Sequence, residues 1–113
     1  MKAILQSKIS DQQVKSFFND GVVILRNVFD SEWISLLKYG IAKNLFEPGE
    51  GSHIWDRNRK EGFTLHDSDN WHKIKEYRKF IFERSTKEIA ARLLNSRKVN
   101  LFFEPIFVRS EVV

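Results

Sequence analysis

Val99-Asn100-Leu101-Phe102-Phe103-Glu104-Pro105-Ile106-Phe107-Val108-Arg109 is the densest apolar run in the sequence. Its aromatic and β-branched content reads as a strand over 99–108. Alternation puts Val99, Leu101, Phe103, Pro105, Phe107 and Arg109 on one face. Asn100, Phe102, Glu104, Ile106 and Val108 share the other. Both faces are largely apolar, which predicts protein cover on both sides. Pro105 has no N–H to give a ladder, so it belongs at a bulge or a sheet edge.

What precedes this strand reads as mostly helical. Ser10-Asp11-Gln12-Gln13 has the form of a capping box, with Ile9 and Val14 placed for a hydrophobic staple. Val14, Phe17 and Phe18 make a helical stripe, and Gly21 is a stop, so a helix is expected at 11–20. Val22-Val23-Ile24-Leu25 follows as a short buried strand. Asp30-Ser31-Glu32 opens a second helix, with Trp33, Ile34, Leu36, Leu37 and Ile41 as its apolar face, over 31–44. Pro48-Gly49-Glu50-Gly51 prevents continuation and leads to hairpin strands around 53–57 and 62–65. Asp69-Asn70 is placed to cap a helix over 70–82, and Ser85-Thr86-Lys87-Glu88 forms a second capping box for a helix over 86–94. The fold class expected is α+β, with helices packed on a small sheet that contains 22–25 and 99–108.

Composition bounds the rest. A chain of 113 residues is one domain at most, and 42% hydrophobic content with ten Phe and three Trp is enough for a core. Basic residues exceed acidic ones by 19 − 15, giving +4, but the charge is scattered and points to no nucleic acid. Cysteine is absent, which removes disulfides and thiolate metal sites. No stretch approaches signal-peptide or membrane-spanning length, so a cytoplasmic protein with no membrane partner is expected.

Few residues suggest chemistry. His53-x-x-Asp56, His66-Asp67 and His66-x-x-Asp69 all lack the two-apart spacing that points a His and a carboxylate inward from one strand. These histidines, with His72, read as surface or loop residues rather than metal ligands. Asp67-Ser68-Asp69-Asn70 resembles a calcium loop but lacks the glycine and the terminal glutamate. Trp55, Phe63, Trp71 and Tyr77 among Arg57, Arg59, Lys60 and Lys73 fit base stacking, yet amphipathic packing under a charged surface explains them more simply. Arg109 ends an alternating apolar face. If that face lines a barrel, its fork of donors suits a carboxylate ligand. The competing reading is a strand that simply emerges into solvent there.

Ser10 to Phe29 resembles the N-terminal signature of the phytanoyl-CoA dioxygenase family, a capped helix followed by an F-x-x-D-G-[YV]-V-[VI]-[LI] turn, here Phe17 to Leu25. Asp69-Asn70-Trp71, Phe80-Ile81-Phe82 and Ser85 to Leu94 are similar to the family's middle, and Val99 to Val108 to its v-n-l-f-f-d-x-i-f-v-K strand. The likeness runs from Ser10 to Arg109. It implies a double-stranded β-helix (jelly-roll) oxygenase that uses Fe(II), 2-oxoglutarate and oxygen to hydroxylate a small organic substrate. Arg109 matches the family's lysine that contacts 2-oxoglutarate, which makes it the expected cofactor-binding residue. The family's His-x-Asp iron ligands come after that strand, whereas this sequence continues Ser110-Glu111-Val112-Val113.

The expectation is therefore a single partial domain, 1–113, the N-terminal half of such an oxygenase with its barrel incomplete. It carries no catalytic or metal residue of its own, and it is inactive as given. The small-molecule substrate belongs to the full-length form, and strand 99–108 invites self-association. The alternative is a non-catalytic helical α+β binding module.

Overall fold

A computed structural model describes residues 9–55 and 62–111. In chain order the elements are α1 (Asp11–Asp20), α2 (Ser31–Phe46), β1 (His53–Trp55), β2 (Gly62–Ser68), α3 (Lys75–Ile81), α4 (Arg84–Leu93) and β3 (Pro105–Glu111). The strands form an open antiparallel sheet in the order β1-β2-β3. The class is α+β, as expected.

Local chemistry sets the helix ends. Ser10 Oγ accepts from Gln13 N and Gln13 Oε1 accepts from Ser10 N, closing the capping box at α1. Gly21, at φ 77, ends α1 in the left-handed region and donates its N–H to Phe17 O. Asp30 Oδ1 accepts from Trp33 N at 2.9 Å and starts α2. α2 then lies against α3, so closely that a Cβ on Gly40 would come within 3.0 Å of Glu76 Cβ and of the Tyr77 ring. Trp33 is buried edge-on to Phe80, which also meets Phe29. α1 rests on α4, where Arg92 pairs with Asp11 at 2.9 Å.

Several expectations need correction. Residues 22–25 join no ladder, and Val22 and Ile24 are exposed. A turn at Arg26-Asn27, with Asn27 at φ 57, follows at once, and no strand lies alongside among the described residues. The helix expected over 70–82 begins only at Lys75. Asn70 does not cap it; its carbonyl accepts from Lys73 N and Ile74 N in a turn, while its side chain bonds back to Ser68 O. The second capping box is not formed. α4 starts at Arg84, ahead of Ser85, which is buried, and Glu88 pairs with Arg84 at 2.8 Å.

The strand that began the sequence reading is shorter and shifted. β3 runs 105–111, and 99–104 has no ladder. The cause lies in its partner: β2 pairs from Gly62–Glu111 to Ser68–Pro105, and then Asp69, at φ 59, turns the chain away. Asp69 N to Glu104 O is the last backbone bond across that pair. Leu101, Phe102 and Phe103 are left exposed. Pro105 opens an edge strand, where a missing N–H is tolerated. The hairpin strands are observed at 53–55 and 62–68, with Asp56 and Arg57 outside the described residues, as is the lead-in before Ile9.

Candidate functional site

The sheet has two unlike faces. Ile54, Leu65, Asp67, Ile106 and Val108 turn toward the helices, and Leu65 and Asp67 are wholly buried. His53, Trp55, Thr64, His66, Phe107 and Arg109 turn the other way.

The inner face is locked by polar groups from five separate places in the chain. Asp67 Oδ2 accepts from Asn44 Nδ2 at 2.8 Å and from Gly49 N at 2.7 Å, and its Oδ1 accepts from Ser68 N. Tyr77 donates its hydroxyl to Asn44 Oδ1 at 3.1 Å. Glu104 Oε1 accepts from Trp71 N at 2.8 Å and from Asn70 N, which clips the start of β3 to the turn before α3. Burial opposes ionisation of Asp67, but the donors from Gly49, Asn44, Asn70 and Ser68 outweigh it and hold the carboxyl below its usual range. For Glu104 burial wins with help from the Asp69 and Asp67 charges, and its pKa is pushed up despite the two N–H donors. Its Oε2 is buried without a partner. Tyr77 is pushed up by burial and by the nearby carboxylates, so it stays a neutral donor. Glu76 is held down: burial opposes its charge, but Lys43 Nζ at 2.6 Å overcomes that. Both Asp67 oxygens are committed to protein donors. This set braces the fold.

The outer face is the candidate site. Register sets His53 opposite His66 and His66 opposite Phe107, while Trp55, Thr64 and Arg109 align two residues further along, on the same face. His66 stacks on Phe107 with centroids 4.6 Å apart and planes 20° from parallel, and His53 stacks on Trp55 at 5.8 Å and 23°. Phe107 is 71% exposed and Trp55 50%. The cover expected on this side of β3 is not supplied by the described residues. Arg109 is exposed beside these rings, on the face that alternation assigned it, although Val99, Leu101 and Phe103 do not extend that face as a strand. Such an arrangement offers a guanidinium for a carboxylate and flat rings for an apolar group.

His53 is exposed on β1 and His72 in the turn before α3, as the surface reading expected, whereas His66 is half-buried on β2. Among the described residues no three His, Asp or Glu side chains gather as a metal site. The residues here therefore do not fit an iron centre by themselves. No helix among the described residues is long and apolar enough to cross a membrane. The ring pairs escaped the sequence reading, which placed β2 only to Leu65 and so left His66 out of the strand.

Comparison with protein-family models, with curated proteins and with solved structures finds no match to this chain.

Proposed function

We propose that this chain forms the N-terminal helical layer and one sheet wall of a jelly-roll oxygenase dependent on Fe(II) and 2-oxoglutarate. Arg109 receives a carboxylate of 2-oxoglutarate. The observation that carries this reading is the placement of Arg109 on the ring-lined sheet face turned away from the helices. A sheet with helices on its outside and a cation among rings on its inside suits a barrel that closes over a small anion. The iron ligands are assigned to a barrel half outside this chain, as the family resemblance implies. Iron would there activate oxygen; the part of this chain is to hold and orient the anion.

Titration of 2-oxoglutarate into the full chain, followed by NMR, tests the proposal. Arg109→Ala is expected to weaken binding by roughly 1.5–3 kcal/mol, the scale of a hydrogen bond to a charged group, with Arg109→Lys intermediate. Unchanged affinity in Arg109→Ala overturns the assignment. Addition of a barrel half that carries a His-x-Asp pair is expected to yield iron-dependent succinate. Small-molecule binding that ignores Arg109 and gains no turnover from that half would instead mark a non-catalytic binding module.

A further inference from the structure

β3 is an edge strand: among the described residues it pairs with β2 on one side and with no strand on the other. The phase of the ladder fixes which backbone groups face that open edge. Asp69 N donates to Glu104 O, and the β2–β3 register runs on without a bulge to Gly62–Glu111. Bonded and non-bonded pairs alternate in an antiparallel ladder, so Ile106, Val108 and Ser110 bond to β2. Phe107, Arg109 and Glu111 then turn N–H and C=O to the open edge, and Pro105 turns only its C=O there. Pro105, Phe107 and Arg109 are exposed, and no proline guards the edge after 105.

We propose that two copies of this chain join by antiparallel pairing of β3 with β3, about a two-fold axis at Val108, so that the three strands of each form one continuous sheet. The occupant is a second copy because this edge is complementary to itself. Centred on Val108, the pairing uses the strand's whole length, Pro105 to Glu111. Phe107 of each copy then stands opposite Arg109 of the other. Both residues offer an outward N–H and C=O, so each such pair exchanges two backbone bonds. The donor that the edge lacks, at Pro105, falls at the end of the strand, where water satisfies the carbonyl facing it. The side chains agree with that register. The Arg109 guanidinium meets the 71% exposed Phe107 ring of the second copy, a favourable cation–ring contact formed twice by symmetry. An axis at Arg109 would instead set the two guanidinium groups against each other and shorten the paired length. The inference stands apart from the oxygenase reading, since it concerns the backbone edge of β3 and not an anion at Arg109.

Sedimentation equilibrium of the full chain at micromolar concentration is expected to show a monomer–dimer equilibrium that stops at two. Phe107→Pro removes an N–H that β2 does not use. It is expected to weaken dimerisation at least about tenfold, since the symmetric pair loses two backbone bonds. Phe107→Ala keeps that N–H and loses only the ring, so a smaller effect is expected. The register is read independently of that variant. The sequence has no cysteine, so a disulfide in Val108→Cys can only join two copies. The axis brings the two Val108 Cα atoms to about 4.5 Å, within disulfide reach, and leaves the two Phe107 positions on a diagonal of about 7–8 Å. Val108→Cys is therefore expected to crosslink faster than Phe107→Cys, although Phe107 is the more exposed position. Monomers at every concentration, oligomers that grow past two, or a dimer that Phe107→Pro leaves intact overturns the inference. So does crosslinking of Phe107→Cys at an equal or faster rate.

Discussion

Gly49 and Asp67 meet with no atom to spare between them. The Gly49 N–H donates to Asp67 Oδ2 at 2.7 Å, and a Cβ on Gly49 would lie 3.0 Å from Asp67 Oδ1 and 2.5 Å from Asn70 Oδ1. The loop after α2 is thus fastened to the sheet by a backbone donor that only a residue without a side chain brings close enough.

Gly49→Ala should therefore destabilise the chain by about 1–3 kcal/mol, since Asn70 is buried and cannot swing clear. Asp67→Ala should lower the unfolding free energy by roughly 3 kcal/mol, because it strands the buried Asn44 amide and the Gly49 N–H together. Urea unfolding checks both, and a loss under 0.5 kcal/mol, the usual size of a neutral surface change, would show that the brace is not used.

The same brace predicts a two-sided dependence on pH. Asp67 is held below the ordinary carboxyl value of 3.8, so its contribution is fully present above that pH and fades as acid takes the pH through the lower folded value. Glu104 is raised above 4.5, so its contribution is present below that pH and is lost as the pH rises through the folded value. Glu104→Gln should abolish the decline on the alkaline side of 4.5 and leave the acid limb unchanged. Melting temperatures measured from pH 3 to 8 decide it, and parallel profiles for the two proteins refute the assignment.

Gly40→Ala probes the contact between α2 and α3. Its Cβ would sit 3.0 Å from both Glu76 Cβ and the Tyr77 ring, so the helices must part. A cost of about 1–3 kcal/mol is expected, together with a change in the Tyr77 near-ultraviolet dichroism. A neutral result would mean that the helices slide without cost.

Residues 99–104 carry Phe102 at 89% exposure beside an edge strand, a combination that favours pairing between chains. Sedimentation at micromolar concentration should show self-association of the full chain, reduced in Phe102→Ser. Monomers at every concentration would contradict this.

Legibility in the sequence followed distance along the chain. Ser10, Gln13 and Gly21 act within one helix, and their pattern alone located α1 correctly. Ser85 and Glu88 show the limit of that method. The same pattern is present, yet the helix begins earlier, and Ser85 is buried within it rather than capping its end. The Asp67 brace joins Asn44, Gly49, Asn70, Tyr77 and Glu104, which no local spacing relates. One clue was available: Glu104 alternates with Ile106 and Val108, so a carboxylate on the apolar face already called for buried donors. The end of the ladder at Pro105 was out of reach, because the turn at Asp69 in another strand determines it.

Alternation along β3 also separates two kinds of inheritance. Ile106 and Val108 answer to the helices beneath them, while Phe107 and Arg109 answer to whatever lies above. Replacements at 64, 66, 107 and 109 can accumulate without disturbing the brace, so recognition can drift between descendants of this chain while the scaffold stays the same. A library confined to those four positions would retune the face and leave the fold out of the experiment. Asp67, one residue away from His66 in sequence, has no such licence.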